Sequence, residues 1–271
     1  MSETNGYRHF SGLKGTKIHH VGADETAFRY TDIQSAIDAA QNNDLILIEP
    51  GTYTLTSKLT VNKPLTIKGM AGPDKIIITS ADDLGDSLVD VNVPGAYSTT
   101  VENIFENIYF KGADADQNVI DIDNDGGANK KFKVRFRNCI VELASSAATG
   151  IGVNVDHTYA TTEIQVKFDG KGWEKIQAVD FLTKHASDGC EFFNVRMTAS
   201  DTRKALATST DDIASVFKFI QCRLPHEAAS EGGHASQSIA CVSSWSFVGG
   251  ATYAAADTND LTGSHTEVIV A

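Results

Sequence analysis

The stretch YTDIQSAIDAAQNNDLILIEPGTY, residues 30–53, decides the fold class. Thr31 and Gln34 have the spacing of a capping box, and Ile33, Ala36, Ile37 and Ala40 follow at helical intervals. The pattern predicts a short amphipathic helix over about 31–41 with one apolar stripe, stopped by Asn42, Asn43 and Asp44. Leu45 to Ile48 then form a continuous apolar run of strand length, as in a parallel strand covered on both sides. Glu49, Pro50 and Gly51 turn the chain. Two further short strands are expected around Leu59 to Val61 and Leu65 to Ile67, ended by Gly69.

Downstream, four segments share one phase. They begin at Phe105, Phe136, Phe192 and Phe219, and each has an amide two residues later: Asn107, Asn138, Asn194 and Gln221. The starts lie 31, 56 and 27 residues apart, so the doubled gap predicts one more coil near residue 164, where Ile164, Val166 and Phe168 alternate. The period of roughly 28 residues reaches Trp245 and Phe247 downstream and Ile76 to Ile78 upstream, which implies about eight or nine coils. Leucine-rich and ankyrin repeats share that period but need Leu-rich or helical signatures. This chain instead shows short runs of Val, Ile and Phe between Gly, Asn, Asp and Ser turns. The expected fold is all-β, a single-stranded right-handed parallel β-helix with an N-terminal capping helix. Two readings of the repeated amide stay open: a hydrogen-bonded ladder between coils about 4.8 Å apart, or ordinary turn asparagines. Cys139 and Cys222 fall in one column, about three coils or ~14 Å apart, too far for a disulfide.

The chain has 271 residues, 23 basic against 35 acidic, for a net charge of −12. That balance disfavours nucleic acid and anionic lipid as partners. The N-terminal residues hold no apolar run of signal-peptide length and no later segment reaches membrane-spanning length, so neither export nor membrane insertion is expected. The four cysteines form no CxxC pair and the eight histidines no HxxxH spacing, so buried reduced thiols and no cofactor are expected. The parallel β-helix domain is expected over 28–248, with an N-terminal extension over 1–27 and a C-terminal tail or cap over 249–271.

The segment from Tyr30 to Ala40, with Leu45 to Tyr53 and Leu65 to Gly69, resembles the opening of pectin-lyase-like β-helix proteins. That family includes polysaccharide lyases, polygalacturonases, pectin methylesterases and virion β-helices such as tailspikes. The resemblance implies the fold and is nearly silent about activity, because chemistry separates from such scaffolds.

Each catalytic set was therefore sought among the residues. Glycoside hydrolysis needs paired carboxyl groups; Asp211, Asp212 and His234 are the candidates, but the Asn-Thr-Asp, Gly-His-Gly and Arg-Ile-Lys patterns of polygalacturonases are not reproduced. Gln177-Ala-Val179 and Ala199-Ser-Asp201-Thr202 are faintly similar to the pectin methylesterase stretches, yet Ser200 stands where that family has Gln and no nucleophile segment follows. Asp121, Asp123 and Asp125 alternate and would share the outer face of a strand, a solvated acidic face or a Ca²⁺ site. His19 and His20 are expected at the surface, and Trp173 and Trp245 in packing.

A β-helix without a recognisable catalytic set, and without an export signal, points to a non-catalytic virion protein assembled in the host cytoplasm, a bacteriophage capsid decoration or tail-associated component. Its expected partners are other virion subunits and copies of itself, with a trimer favoured by the resemblance. The alternative is a polysaccharide-active enzyme or glycan-binding β-helix.

Overall fold

The computed structural model describes residues 16–24, 29–82, 84–85, 87–92, 101–113, 117–123, 131–142, 150–156, 163–173, 179–183 and 189–196, and beyond them only the strands named below, with side chains described as far as Val195. Eight coils stack after an initial strand β1 (Ile18–Val21). The first three run β2 (Leu45–Ile48), β3 (Gly51–Leu55), β4 (Leu59–Thr60); β5 (Thr66–Gly69), β6 (Ile76–Ser80), β7 (Ser87–Asn92); and β8 (Val101–Glu106), β9 (Tyr109–Lys111), β10 (Asn118–Asp123). From the fourth coil the first two strands merge, giving β11 (Lys131–Glu142) with β12 (Ile151–Asp156), β13 (Glu163–Trp173) with β14 (Val179–Thr183), and β15 (Gly189–Arg196) with β16 (Leu206–Thr208). The last coils are β17 (Val216–Ile220), β18 (Arg223–Leu224), β19 (Ala229–Glu231), then β20 (Ala240–Ser244) and β21 (Phe247–Val248).

Every strand pairing among them is parallel and joins one coil to the next, or β1 to the first. The first sheet runs β1-β2-β5-β8-β11-β13-β15-β17-β20 and folds over a bend onto β3, β6, β9 and their successors; the second runs β4-β7-β10-β12-β14-β16-β19. The coil expected near residue 164 is β13, and it lies between β11 and β15.

Parallel register turns sequence phase into columns. Phe105, Phe136, Phe168 and Phe192 align across successive strands, and the backbone register continues to Phe219. Their buried rings stack, with centroids 5.3, 4.4 and 5.8 Å apart and planes within 13°. Phe110, from across the bend, meets Phe105 and Phe136 edge-on. Ile77 and Ile78 pair with β9 and not with the Phe105 strand; it is Ile67 that precedes Phe105 in the column. Downstream, Ser243 and not Trp245 follows Phe219.

The repeated amide sits at the bend. Asn107, Asn138 and Asn194 have φ of 59°, 50° and 51°, the left-handed region that asparagine tolerates better than most residues. The fifth coil has Gly170 there, φ 79°, followed by Lys171 at φ 60°. Both readings of the amide hold together, because Asn138 Nδ2 donates to Asn107 Oδ1 at 2.7 Å, and Asn107 Nδ2 donates to the Gly69 carbonyl at 3.3 Å. Gly69 lies so close to the Asn107 carbonyl that a Cβ there would clash.

Helix α1 (Ile33–Ala39) closes the start of the solenoid, shorter at both ends than the expected 31–41. Its buried stripe, Ile33, Ala36, Ile37 and Ala40, is the one read from the sequence. The cap differs: Asp32, and not Thr31, accepts from the Ser35 amide at 2.7 Å. Gln34 leaves the capping box because its amide makes a two-point pair with the backbone of Thr60, accepting from its N–H at 2.8 Å and donating to its carbonyl at 3.2 Å. That pair covers the edge of the second sheet. At the other end of α1, Lys63 Nζ donates to the carbonyls of Ile37, Asp38 and Ala40 at 2.8 to 2.9 Å, satisfying acceptors that a helix C-terminus leaves open.

Ile18–Val21, within the expected N-terminal extension, pairs with β2 and belongs to the first sheet. Asp44 holds it there. The carboxylate is buried and accepts from the amides of Lys17 and Gln41, both at 2.8 Å, and from His19 Nε2 at 3.0 Å. His19 is thus buried, contrary to its expected surface placement, since β1 turns it inward onto this carboxylate and 3.4 Å from the Tyr30 hydroxyl. Burial pushes the Asp44 carboxyl upward, but the hydrogen bonds from Gln41, Lys17 and His19 outweigh it and hold the group below its usual value.

Three stability predictions follow from these contacts, each read by denaturant unfolding. Phe136→Ala lowers stability by about 3–5 kcal/mol, and Phe136→Leu by less. At the bend, Asn138→Gly keeps the backbone conformation and loses the ladder, whereas Asn138→Ala loses both, so Ala is worse by about 1 kcal/mol. Asp44→Asn costs on the order of 3 kcal/mol at neutral pH. Because the folded-state value lies below the unfolded one, this contribution is full above about pH 5 and fades as pH falls through the lowered folded value, so wild type and Asp44→Asn converge in acid.

Candidate functional site

The polar outer face of the second sheet is where the sequence placed its carboxylates, and the strand period delivers them there. On β10, Ile120 and Ile122 are fully buried while Asp121 and Asp123 face outward and are partly covered. Register sets Asp90, Asp121 and Asn154 in one column, with Asn92 and Asp123 beside each other in the next. Asp121 Oδ1 accepts from Asn118 Nδ2 at 2.9 Å and from Asn154 Nδ2 at 3.0 Å, and Asp90 pairs with Lys58 at 3.2 Å. Asn118 Oδ1 in turn accepts from the Ile151 amide at 2.9 Å. The amides hold the carboxylate and tie the third coil to the fourth.

Among the described residues no group of three or more His, Cys, Asp or Glu is placed to hold a metal ion. Asp121 and Asp123 point the same way, but from one extended strand and not from a bent loop that would converge their oxygens. Asp125, the third member of that set, lies outside the described residues, as do Asp211, Asp212, His234 and Trp245. The methylesterase-like stretches lie outside them too, except for Val179 at the start of β14.

The outer face of the first sheet carries a charge pattern that the sequence reading passed over. Lys68 pairs with Glu106 at 2.6 Å, Arg135 with Glu102 at 2.9 Å and Lys167 with Glu191 at 3.1 Å, each across neighbouring strands. Its signal is the alternation in KFKVRFR, residues 131–137, where Phe132, Val134 and Phe136 are buried and the residues between them are basic. Cys139 is buried and free, as expected. Burial pushes its thiol up to about 12, and Sγ donates to the carbonyls of Phe105 and Arg137, so it is a core residue without nucleophilic character.

No family model matches the sequence, and no curated protein sequence matches it. Solved structures do. Pectin methylesterase PemA from Erwinia chrysanthemi superposes with a TM-score of 0.50 at 12% identity, over 88% of this chain and 91% of that one. Pectin methylesterase from carrot gives 0.51 at 12% identity, over 93% and 86%. A Geobacillus virus E2 protein, ORF18, matches with a TM-score of 0.36 at 12% identity, over 79% of this chain and 53% of that one. The stacked parallel coils, the aligned phenylalanines and the two methylesterase superpositions together give the chain the parallel β-helix fold of the pectin-lyase type.

Proposed function

We propose that the chain is a non-catalytic structural β-helix of a virus particle, a bacteriophage capsid decoration or tail-associated subunit that meets other virion subunits and copies of itself, with a trimer as the expected form. One observation carries the non-catalytic reading: five outward carboxylates on the described coils are already engaged. Glu102, Glu106, Glu191 and Asp90 face Lys or Arg partners, and Asp121 is held by two amides. Sugar hydrolysis by paired carboxyl groups needs both of them directed at the substrate, and these are directed at neighbouring side chains. Such pairing instead stiffens a stack and keeps its faces soluble.

A second reading, a glycan-binding or polysaccharide-active β-helix, draws on the Asn118, Asp121 and Asn154 network, whose amide and carboxylate groups are of the kind that hydrogen-bond sugar hydroxyls. The two readings part on turnover. Incubation with a panel of acidic and neutral polysaccharides, with and without Ca²⁺, is expected to give neither chain scission nor methanol release, while the protein co-sediments with assembled particles of its source. Turnover that is lost in Asp211→Asn with Asp212→Asn, or in Asp121→Asn with Asp123→Asn, would overturn the structural reading in favour of the enzyme.

A further inference from the structure

The two outer faces of the solenoid differ in charge at the same height along its axis. On the first sheet, β11 turns Lys133, Arg135 and Arg137 outward, about 6.6 Å apart along the strand, with Phe132, Val134 and Phe136 inside. Arg135 is matched by Glu102, while Lys133 and Arg137 have no ion-pair partner within 4 Å among the described residues. On the second sheet the neighbouring strands β7, β10 and β12 contain four aspartates and neither lysine nor arginine, and Lys58, just before β4, offsets one of them, Asp90. Asp90, Asp121 and Asp123 stand outward there. Among the described residues a chain of net charge −12 therefore keeps a basic row on a different sheet from its aspartate columns.

We propose that these faces are the two halves of one self-association contact: the basic row of β11 in one copy docks against the aspartate columns of β7 and β10 in the next. The inference rests on the structural reading of the chain and names the partner that reading requires, a second copy. Charge selects that occupant. The carboxylates of Glu102, Glu106, Asp169 and Glu191 flank the row on neighbouring strands and leave its surroundings only slightly positive, too weak a field to hold a polyanion against the charge of the whole chain. It suffices to orient an acidic protein face and to offset the repulsion that like-charged copies otherwise feel. Because the two halves differ, the contact is heterologous and gives a closed ring when its rotation closes.

The test uses the full chain and mass photometry or sedimentation at micromolar concentration. Wild type is expected as a discrete multiple of 29.1 kDa at 0.15 M salt, weakening at 1 M salt, where the Debye length contracts to about 3 Å. Lys133→Glu with Arg137→Glu, or Asp90→Lys with Asp123→Lys, is expected to weaken self-association at least 100-fold on the scale of like-charge juxtaposition, with circular dichroism unchanged. The four changes combined in one chain re-create complementarity in reverse and restore the oligomer. A monomeric wild type, or an oligomer indifferent to both reversals, overturns the proposal. Particle co-sedimentation is read separately: an oligomer that responds to the reversals but never joins particles removes the virion placement and leaves this contact standing, and particle binding by a protein indifferent to the reversals does the opposite.

Discussion

A parallel coil cannot satisfy its own backbone. Its N–H and C=O groups point along the solenoid axis, so each strand depends on the strand above and the strand below at about 4.8 Å. That dependence fixes which residues meet. Once β8 pairs with β11 in register, Phe105 must face Phe136, Asn107 must face Asn138, and a charge on one rung must face whatever the next rung carries. Similar neighbours are favoured where rings or amides stack, and opposite charges where side chains project outward. The core and the surface of this protein are two outcomes of one pairing rule.

The same rule makes the first coil a problem, since among the described residues only the single strand β1 precedes it. The chain supplements that strand with side chains: Gln34 mimics a backbone neighbour for Thr60, Lys63 fills the C-terminal end of α1, and the buried Asp44 gathers Lys17, His19 and Gln41. These contacts span from 3 to 27 residues of sequence, which is why little of the cap was legible beforehand. The apolar stripe of α1 was readable because it is periodic. Asp32 as the cap was not, because Thr31 has equal chemistry and only the course of the backbone chooses between them. β1, with the sequence Ile18-His19-His20-Val21, carries too few apolar residues to announce a strand, and its inward histidine makes sense only beside Asp44.

The repeating coils were far more legible. Phase alone located the strand around Phe168 from a doubled gap, because stacking demands the same residue class at the same position. Phase said less about the bend, where Gly170 replaces the amide since both satisfy a left-handed φ. For the candidate site, alternation predicted which way Asp121 and Asp123 face, but their partners Asn118 and Asn154 come from positions that only register reveals. The basic row of β11 was overlooked because the net charge of the whole chain hides a local excess.

The left-handed bend has an evolutionary consequence. Its residue lies two positions after the stacked phenylalanine in each of four successive coils, at Asn107, Asn138, Gly170 and Asn194. Coil length is not so constrained: from Phe105 to Phe136 is 31 residues, to Phe168 a further 32, and to Phe192 only 24. One corner of the cross-section is therefore frozen, while insertions and deletions collect at the others. A lineage can change the length of the chain there without disturbing the stack that carries it.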